Sequence, residues 1–74
     1  MDLVKVDSSM VYAVGYDTTA EELEVVFTSG RIWRYRGVSR RVYEELLAAD
    51  SKGQYMHGHI LGAFPEYEIS RRRR

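Results

Sequence analysis

Apolar and polar positions follow two different periods along this chain, and the change of period divides it. Residues 10–16, Met-Val-Tyr-Ala-Val-Gly-Tyr, are β-prone and aromatic-rich and stop at Asp17-Thr18-Thr19. Two further β-patterned runs, Leu23 to Phe27 and Arg31 to Tyr35, flank the break Thr28-Ser29-Gly30. Strand-like runs around a short glycine-containing break predict a hairpin.

Side-chain pairing chooses the register of that hairpin. A three-residue loop with Gly30 left-handed sets Phe27 opposite Arg31, Val26 opposite Ile32, Val25 opposite Trp33, Glu24 opposite Arg34 and Leu23 opposite Tyr35. Three apolar pairs and one opposite-charge pair result, each contributing roughly 0.2–1 kcal/mol. A two-residue turn would instead oppose Val25 to Arg34 and Glu24 to Tyr35, which is worse on both counts. The three-residue register puts Leu23, Val25, Phe27, Trp33 and Tyr35 on one face, the better core. Glu24, Val26, Ile32, Arg34 and Arg36 share the other face.

After Gly37-Val38 the period becomes helical. Ser39 is placed to cap the first turn, and Val42, Tyr43, Leu46 and Leu47 fall on one stripe with Glu44 and Glu45 away from it. Asp50 to Gly53 ends this helix. Tyr55, Met56, Ile60 and Leu61 then recur at helical spacing up to Phe64-Pro65, with Gly58 weakening the pattern. Residues from Glu66 onward read as a frayed tail on which Tyr67 and Ile69 are the candidates for docking. The expected fold is α+β: an antiparallel sheet of about three strands, one packed helix and a second short helical segment. The expected core is Leu23, Val25, Phe27, Trp33, Tyr35, Val42, Tyr43, Leu46 and Leu47.

Length bounds the rest. Seventy-four residues and no internal repeat make one small domain with a narrow stability margin. Without cysteine there is no disulfide, thiolate metal site or thiol nucleophile. Early acids and the lack of a long apolar run argue against a signal peptide or membrane span, so a cytoplasmic protein without membrane partners is expected. The net charge of zero averages two unlike parts. Removing the terminal run Arg71 to Arg74 leaves seven basic against eleven acidic groups, a net of −4. Within the body, Arg31 to Arg41 holds five arginines and no acid, while Asp17 to Glu24 holds four acids and no base.

A recognisable series runs through these elements. Ser8-Ser9 precedes a strand ending Gly15-Tyr16-Asp17. Leu-x-Val-x-Phe at 23–27, Gly30, Trp33-Arg34-Tyr35, Gly37-Val38, Val42-Tyr43, Leu46-Leu47, Ala49, Ser51-x-Gly53-x-Tyr55 and Ile60 follow. In order and spacing this resembles the KTSC domain. That short module is named for its occurrence at the C-terminus of some lysyl-tRNA synthetases and also occurs alone in small bacterial proteins. The resemblance covers residues 8–64, leaving 1–7 as an N-terminal extension and 65–74 as a C-terminal tail. Trp33 replaces the first ring of the family's usual Tyr-x-Tyr, and His57 stands at an asparagine-like position. The resemblance implies RNA binding, proposed for the family from the synthetase context.

Candidate chemistry follows the charges. Arg31, Arg34, Arg36, Arg40 and Arg41 interleave with Trp33 and Tyr35, and arginine with a stacking ring is a common grip on single-stranded RNA. The pairing puts both rings on the core face, so stacking on bases and packing in the core stand as alternatives for them. Arg36, Arg40 and Arg41 are expected at one corner, the last two in a helical first turn where the dipole disfavours cations. Lys52 would extend that patch from the far end of the helix, and Arg71, Arg72, Arg73 and Arg74 would form an anion-binding arm. His57 and His59 diverge on a helix and, without cysteine, do not suggest a metal site. Ser8, Ser9, Ser39 and Ser51 are explained as turn or cap residues, and no catalytic motif or phosphate-cradling loop occurs. The expectation is therefore a non-enzymatic module without cofactor or metal that binds RNA or another nucleic acid. The alternative is a module that binds a protein partner or itself through the sheet face bearing Val26 and Ile32, or through an unpaired strand edge.

Overall fold

The computed structural model describes residues 2–69. Five antiparallel strands form one sheet in sequence order: β1 (Leu3–Lys5), β2 (Val11–Asp17), β3 (Glu22–Phe27), β4 (Ile32–Arg36) and β5 (Glu66–Ile69). Between β4 and β5 lie α1 (Arg40–Ala48), α2 (Lys52–Tyr55) and a π-helical continuation, Met56–Ile60. The α+β class is as expected, but the sheet has five strands where the pattern suggested about three. The two additional strands occupy the segments read as extension and tail. Both are short edge strands, and an edge strand with at most one covered face carries little apolar signal.

The hairpin β3–β4 adopts the register that side-chain pairing selects. Val26 pairs with Ile32, Val25 with Trp33, Glu24 with Arg34 and Leu23 with Tyr35. The Phe27 amide donates to the Arg31 carbonyl at 2.9 Å, closing a three-residue loop in which Gly30 has φ +96°. A left-handed backbone there is cheap only for glycine.

In β2 a bulge at Tyr12 shifts the register, so Val11 pairs with Phe27 while Val14 pairs with Val25. The extra residue lets two valines three positions apart both meet core-face partners. Ser39 caps α1 by accepting from the Val42 amide. Val11, Val14, Leu23, Val25 and Tyr35 from the sheet meet Val38, Leu46, Met56 and Ile60 in one fully buried cluster. Each aliphatic member contributes roughly 1.5–3 kcal/mol by leaving water. Phe27, Trp33, Val42, Tyr43 and Leu47, expected in the core, are half-buried and pack against that cluster.

Candidate nucleic-acid interface

The strand order and the turn at Gly37 bring the end of β4 beside the start of α1. Arg36, the last residue of β4, and Arg40 and Arg41, in the first turn of α1, flank the turn at this corner and are all exposed. Arg36 points to the sheet face away from the helices, beside Glu22 and Tyr67, whereas Arg40 and Arg41 stand on the helix that covers the other face. Arg36 sits 5.0 Å above the Tyr67 ring and has its Nε 3.5 Å from Glu22 Oε2. Arg40 Nε pairs with Glu44 Oε2 at 2.9 Å, one turn along the helix. Arg41 has no carboxylate within ion-pair distance among the described residues.

The corner also holds rings that charge patterning did not single out. Tyr16 and Tyr43 stack with centroids 5.3 Å apart, and the Tyr16 hydroxyl donates to the Val38 carbonyl. Burial, with a smaller contribution from Glu21, raises the Tyr16 phenol above its ordinary range, so it stays a neutral donor. The signal available in the sequence was the resemblance itself, which includes both positions.

The remaining basic residues are committed elsewhere. Arg34 donates from Nε to Glu24 at 2.8 Å and has Glu22 at 3.5 Å, on the sheet face turned away from the helices. The two glutamates are largely buried by this cluster, and the Tyr67 hydroxyl donates to Glu22 at 2.9 Å. Bonding to Glu24 raises the Arg34 pKa further, so its charge is permanent. Arg31 pairs with Glu68 at 3.0 Å. Lys52 lies at the far end of α1, where its ammonium donates to the Leu47 and Ala49 carbonyls at 2.9 and 2.7 Å. That geometry is a C-terminal helix cap, not an extension of the corner.

Arg71 to Arg74 lie outside the described residues. Ile69, which leads toward them, pairs with Ile32, whereas the Arg36 amide bonds the Pro65 carbonyl at the other end of β4.

Tyr35 is buried in the core, and Trp33 shares its face against that core. Neither ring lies at the corner. His59 stacks on Tyr55 with centroids 4.4 Å apart, and His57 is exposed. Among the described residues, no three histidine, aspartate or glutamate side chains group as metal ligands. No helix among the described residues is long and apolar enough to cross a membrane.

With this geometry the chain can be set beside known proteins. A family model, the KTSC domain, matches residues 7–64. A lysine–tRNA ligase of Nostoc sp. is 41% identical over 68 residues, which is 92% of this chain and 12% of that enzyme. The chain therefore spans only a small part of the tRNA ligases it matches. An uncharacterized protein of Stutzerimonas stutzeri is 40% identical over 57 residues, 77% of this chain and 80% of the relative. The crystal structure of a KTSC domain protein from Yersinia pestis superposes with a TM-score of 0.91 at 32% identity, covering 93% of this chain and 97% of that one.

Proposed function

The chain belongs to the KTSC domain family, and from that premise we propose that it is a non-catalytic module that grips single-stranded RNA by its phosphates at the Arg36–Arg40–Arg41 corner. The observation that carries this reading is Arg41. It is an exposed guanidinium without a carboxylate partner among the described residues, set against the helix dipole in the first turn of α1. Its two neighbours are recruitable. An exposed i,i+4 pair such as Arg40–Glu44 contributes only about 0.3–0.5 kcal/mol, so a phosphate displaces the glutamate at little cost. The Arg36–Glu22 contact at 3.5 Å is longer than a good charge-assisted bond. Arg34, bonded at 2.8 Å and half-buried, is excluded from this role by the same reasoning. The occurrence of a similar region in lysine–tRNA ligases supports RNA as the polyanion.

The test is the salt dependence of binding to a short single-stranded RNA. Three phosphate contacts predict a log–log slope of about −2, flattening to about −0.7 in the Arg40→Glu/Arg41→Glu variant. Absence of binding by the parent at about 0.15 M salt, or an unchanged slope in the variant, refutes the reading. Removing Arg71 to Arg74 separately measures the contribution of the tail.

A second reading, protein or self-association, is favoured by a different observation. Leu3, Val4 and Tyr12 are 46%, 45% and 49% exposed on and beside the edge strand β1. Binding through this edge or through Val26 and Ile32 would be nearly insensitive to salt.

A further inference from the structure

At the junction of α1 and α2, away from the arginine corner, lies a cleft of about 330 Å³ lined by Ala49, Asp50, Ser51, Gln54, Tyr55 and His59. Part of its lining is a preformed stack, the Tyr55 and His59 rings at 4.4 Å and 27°. The Tyr55 hydroxyl donates to Glu45 Oε1 at 2.7 Å, which fixes the phenol at its outer end. Burial and this bond push that phenol up to about 12, so it remains neutral. Among the described residues, the Asp50 carboxylate and the Gln54 side-chain amide have no hydrogen-bond or ion-pair partner within the chain. A second hollow of about 230 Å³ shares Asp50 and Ser51 with the first and adds Asp7, Ser8 and Ser9.

We propose that this cleft binds a guanine ribonucleoside, with the base against the Tyr55–His59 stack and its N1–H and N2–H donated to Asp50. A carboxylate is an acceptor only, and guanine presents two adjacent donors on one edge. Adenine would set its N1 lone pair against the carboxylate, and uracil would flank its single N–H with two carbonyl oxygens. Stacking is sequence-tolerant and supplies the hold, while Asp50 supplies the choice. Asp7 and Asp50 repel phosphate from the second hollow, and the Lys52 ammonium beside it is already engaged with two carbonyls. That hollow therefore suits ribose hydroxyls.

The shared ligand chemistry has two sources, a free guanine nucleotide or an unpaired guanine in RNA, and the second rests on the function proposed above. Arg40 and the cleft lie at opposite ends of the nine-residue α1, about 13 Å apart at ~1.5 Å per residue. A short single strand can reach from one to the other.

The experiment is a titration of backbone amide shifts in the full chain. The probes are guanosine 5′-monophosphate, inosine 5′-monophosphate and 2′-deoxyguanosine 5′-monophosphate, with inorganic phosphate as control for the anion. The guanosine nucleotide should shift amides within residues 49–59, where phosphate alone does not. Inosine, lacking the exocyclic amine, should bind about tenfold more weakly, and the deoxy compound about threefold more weakly. Asp50→Asn should erase the guanosine–inosine difference, and His59→Ala should lower affinity about tenfold. No response in 49–59, or equal responses to guanosine and inosine nucleotides, overturns the proposal. The Arg40→Glu/Arg41→Glu variant should bind the nucleotide as the parent does, which separates the two sites. If RNA shifts only the corner and the guanosine nucleotide shifts nothing in 49–59, the cleft proposal falls and the phosphate grip stands. If the guanosine nucleotide binds but RNA does not, the RNA reading falls and the cleft is a free-nucleotide site.

Discussion

Replacing Lys52 with methionine distinguishes the residue's two conceivable roles. Methionine keeps most of the apolar stem and removes the ammonium, so the packing changes little. What disappears is a pair of charge-assisted bonds to the Leu47 and Ala49 carbonyls, at 2.9 and 2.7 Å. A hydrogen bond from a charged group contributes roughly 1.5–3 kcal/mol when its partner is buried. Here the site is only half-buried, and water can replace part of the lost bonding. The favourable interaction of a cation with the end of the helix dipole, about 0.3–1 kcal/mol, is also lost. A total near 2 kcal/mol follows, against about 4–11 kcal/mol for a whole domain of this size. At about 4–8 °C per kcal/mol, the melting temperature should fall by roughly 8–16 °C. Thermal unfolding followed by circular dichroism measures this directly, and RNA affinity measured well below the melting point should not change. A variant that melts within about 2 °C of the parent, or that folds normally but loses RNA affinity, would refute the cap and restore Lys52 as a phosphate contact.

Other substitutions and conditions test the remaining structural claims. Tyr35→Ala should cost about 4–5 kcal/mol and Trp33→Ala about 2–3 kcal/mol, because the first ring is fully buried and the second only half; urea midpoints should rank them in that order. Arg34→Ala should cost roughly 2–3 kcal/mol, since it leaves the largely buried Glu24 without a cation beside Glu22, which keeps only the longer 3.5 Å contact with Arg36; urea midpoints measure the loss. Burial pushes the Tyr35 phenol up to about 12, so the folded state holds this proton more tightly than the unfolded chain, whose value is about 10. Its contribution is whole below pH about 10 and is lost as the pH rises toward about 12; urea midpoints across that window should fall, and fall less in Tyr35→Phe.

Side-chain pairing made the centre of the fold legible. The β3–β4 register followed from opposing Glu24 to Arg34 and Val25 to Trp33, because a one-residue slip would have turned every side chain over. The α1 cap was equally readable, since Ser39 stands immediately before an amphipathic run. The edges were not. Leu3-Val4-Lys5 is too short to show a period, and its residues are exposed. Glu66-Tyr67-Glu68-Ile69 does alternate, but four residues beside an arginine run look the same in a loose tail. Val11 and Val14 escaped the expected core because the bulge at Tyr12 breaks the period that would have identified them. Lys52 was read by its charge, yet its place just past the end of a helix is where a cation meets free carbonyls. For the arginines, sequence shows the charges but not the counter-ions: Glu22 meets Arg36 from the neighbouring strand, and Glu44 meets Arg40 from the next helical turn.

The strand order has a bearing on how this domain can be joined to other proteins. With β1 and β5 at opposite edges and running parallel, Leu3 and Ile69 occupy diagonal corners of the sheet. Four inter-strand steps of about 4.8 Å, and the two-residue offset of about 7 Å between Ile69 and Tyr67, which is level with Leu3 across the sheet, separate them by roughly 20 Å. A circular permutant would need about six extended residues between Ile69 and Leu3, laid across a sheet face. Grafting the domain into the interior of a host would force two host segments equally far apart. Fusion at a single end meets neither obstacle, so the domain is suited to being appended to a host rather than spliced into it.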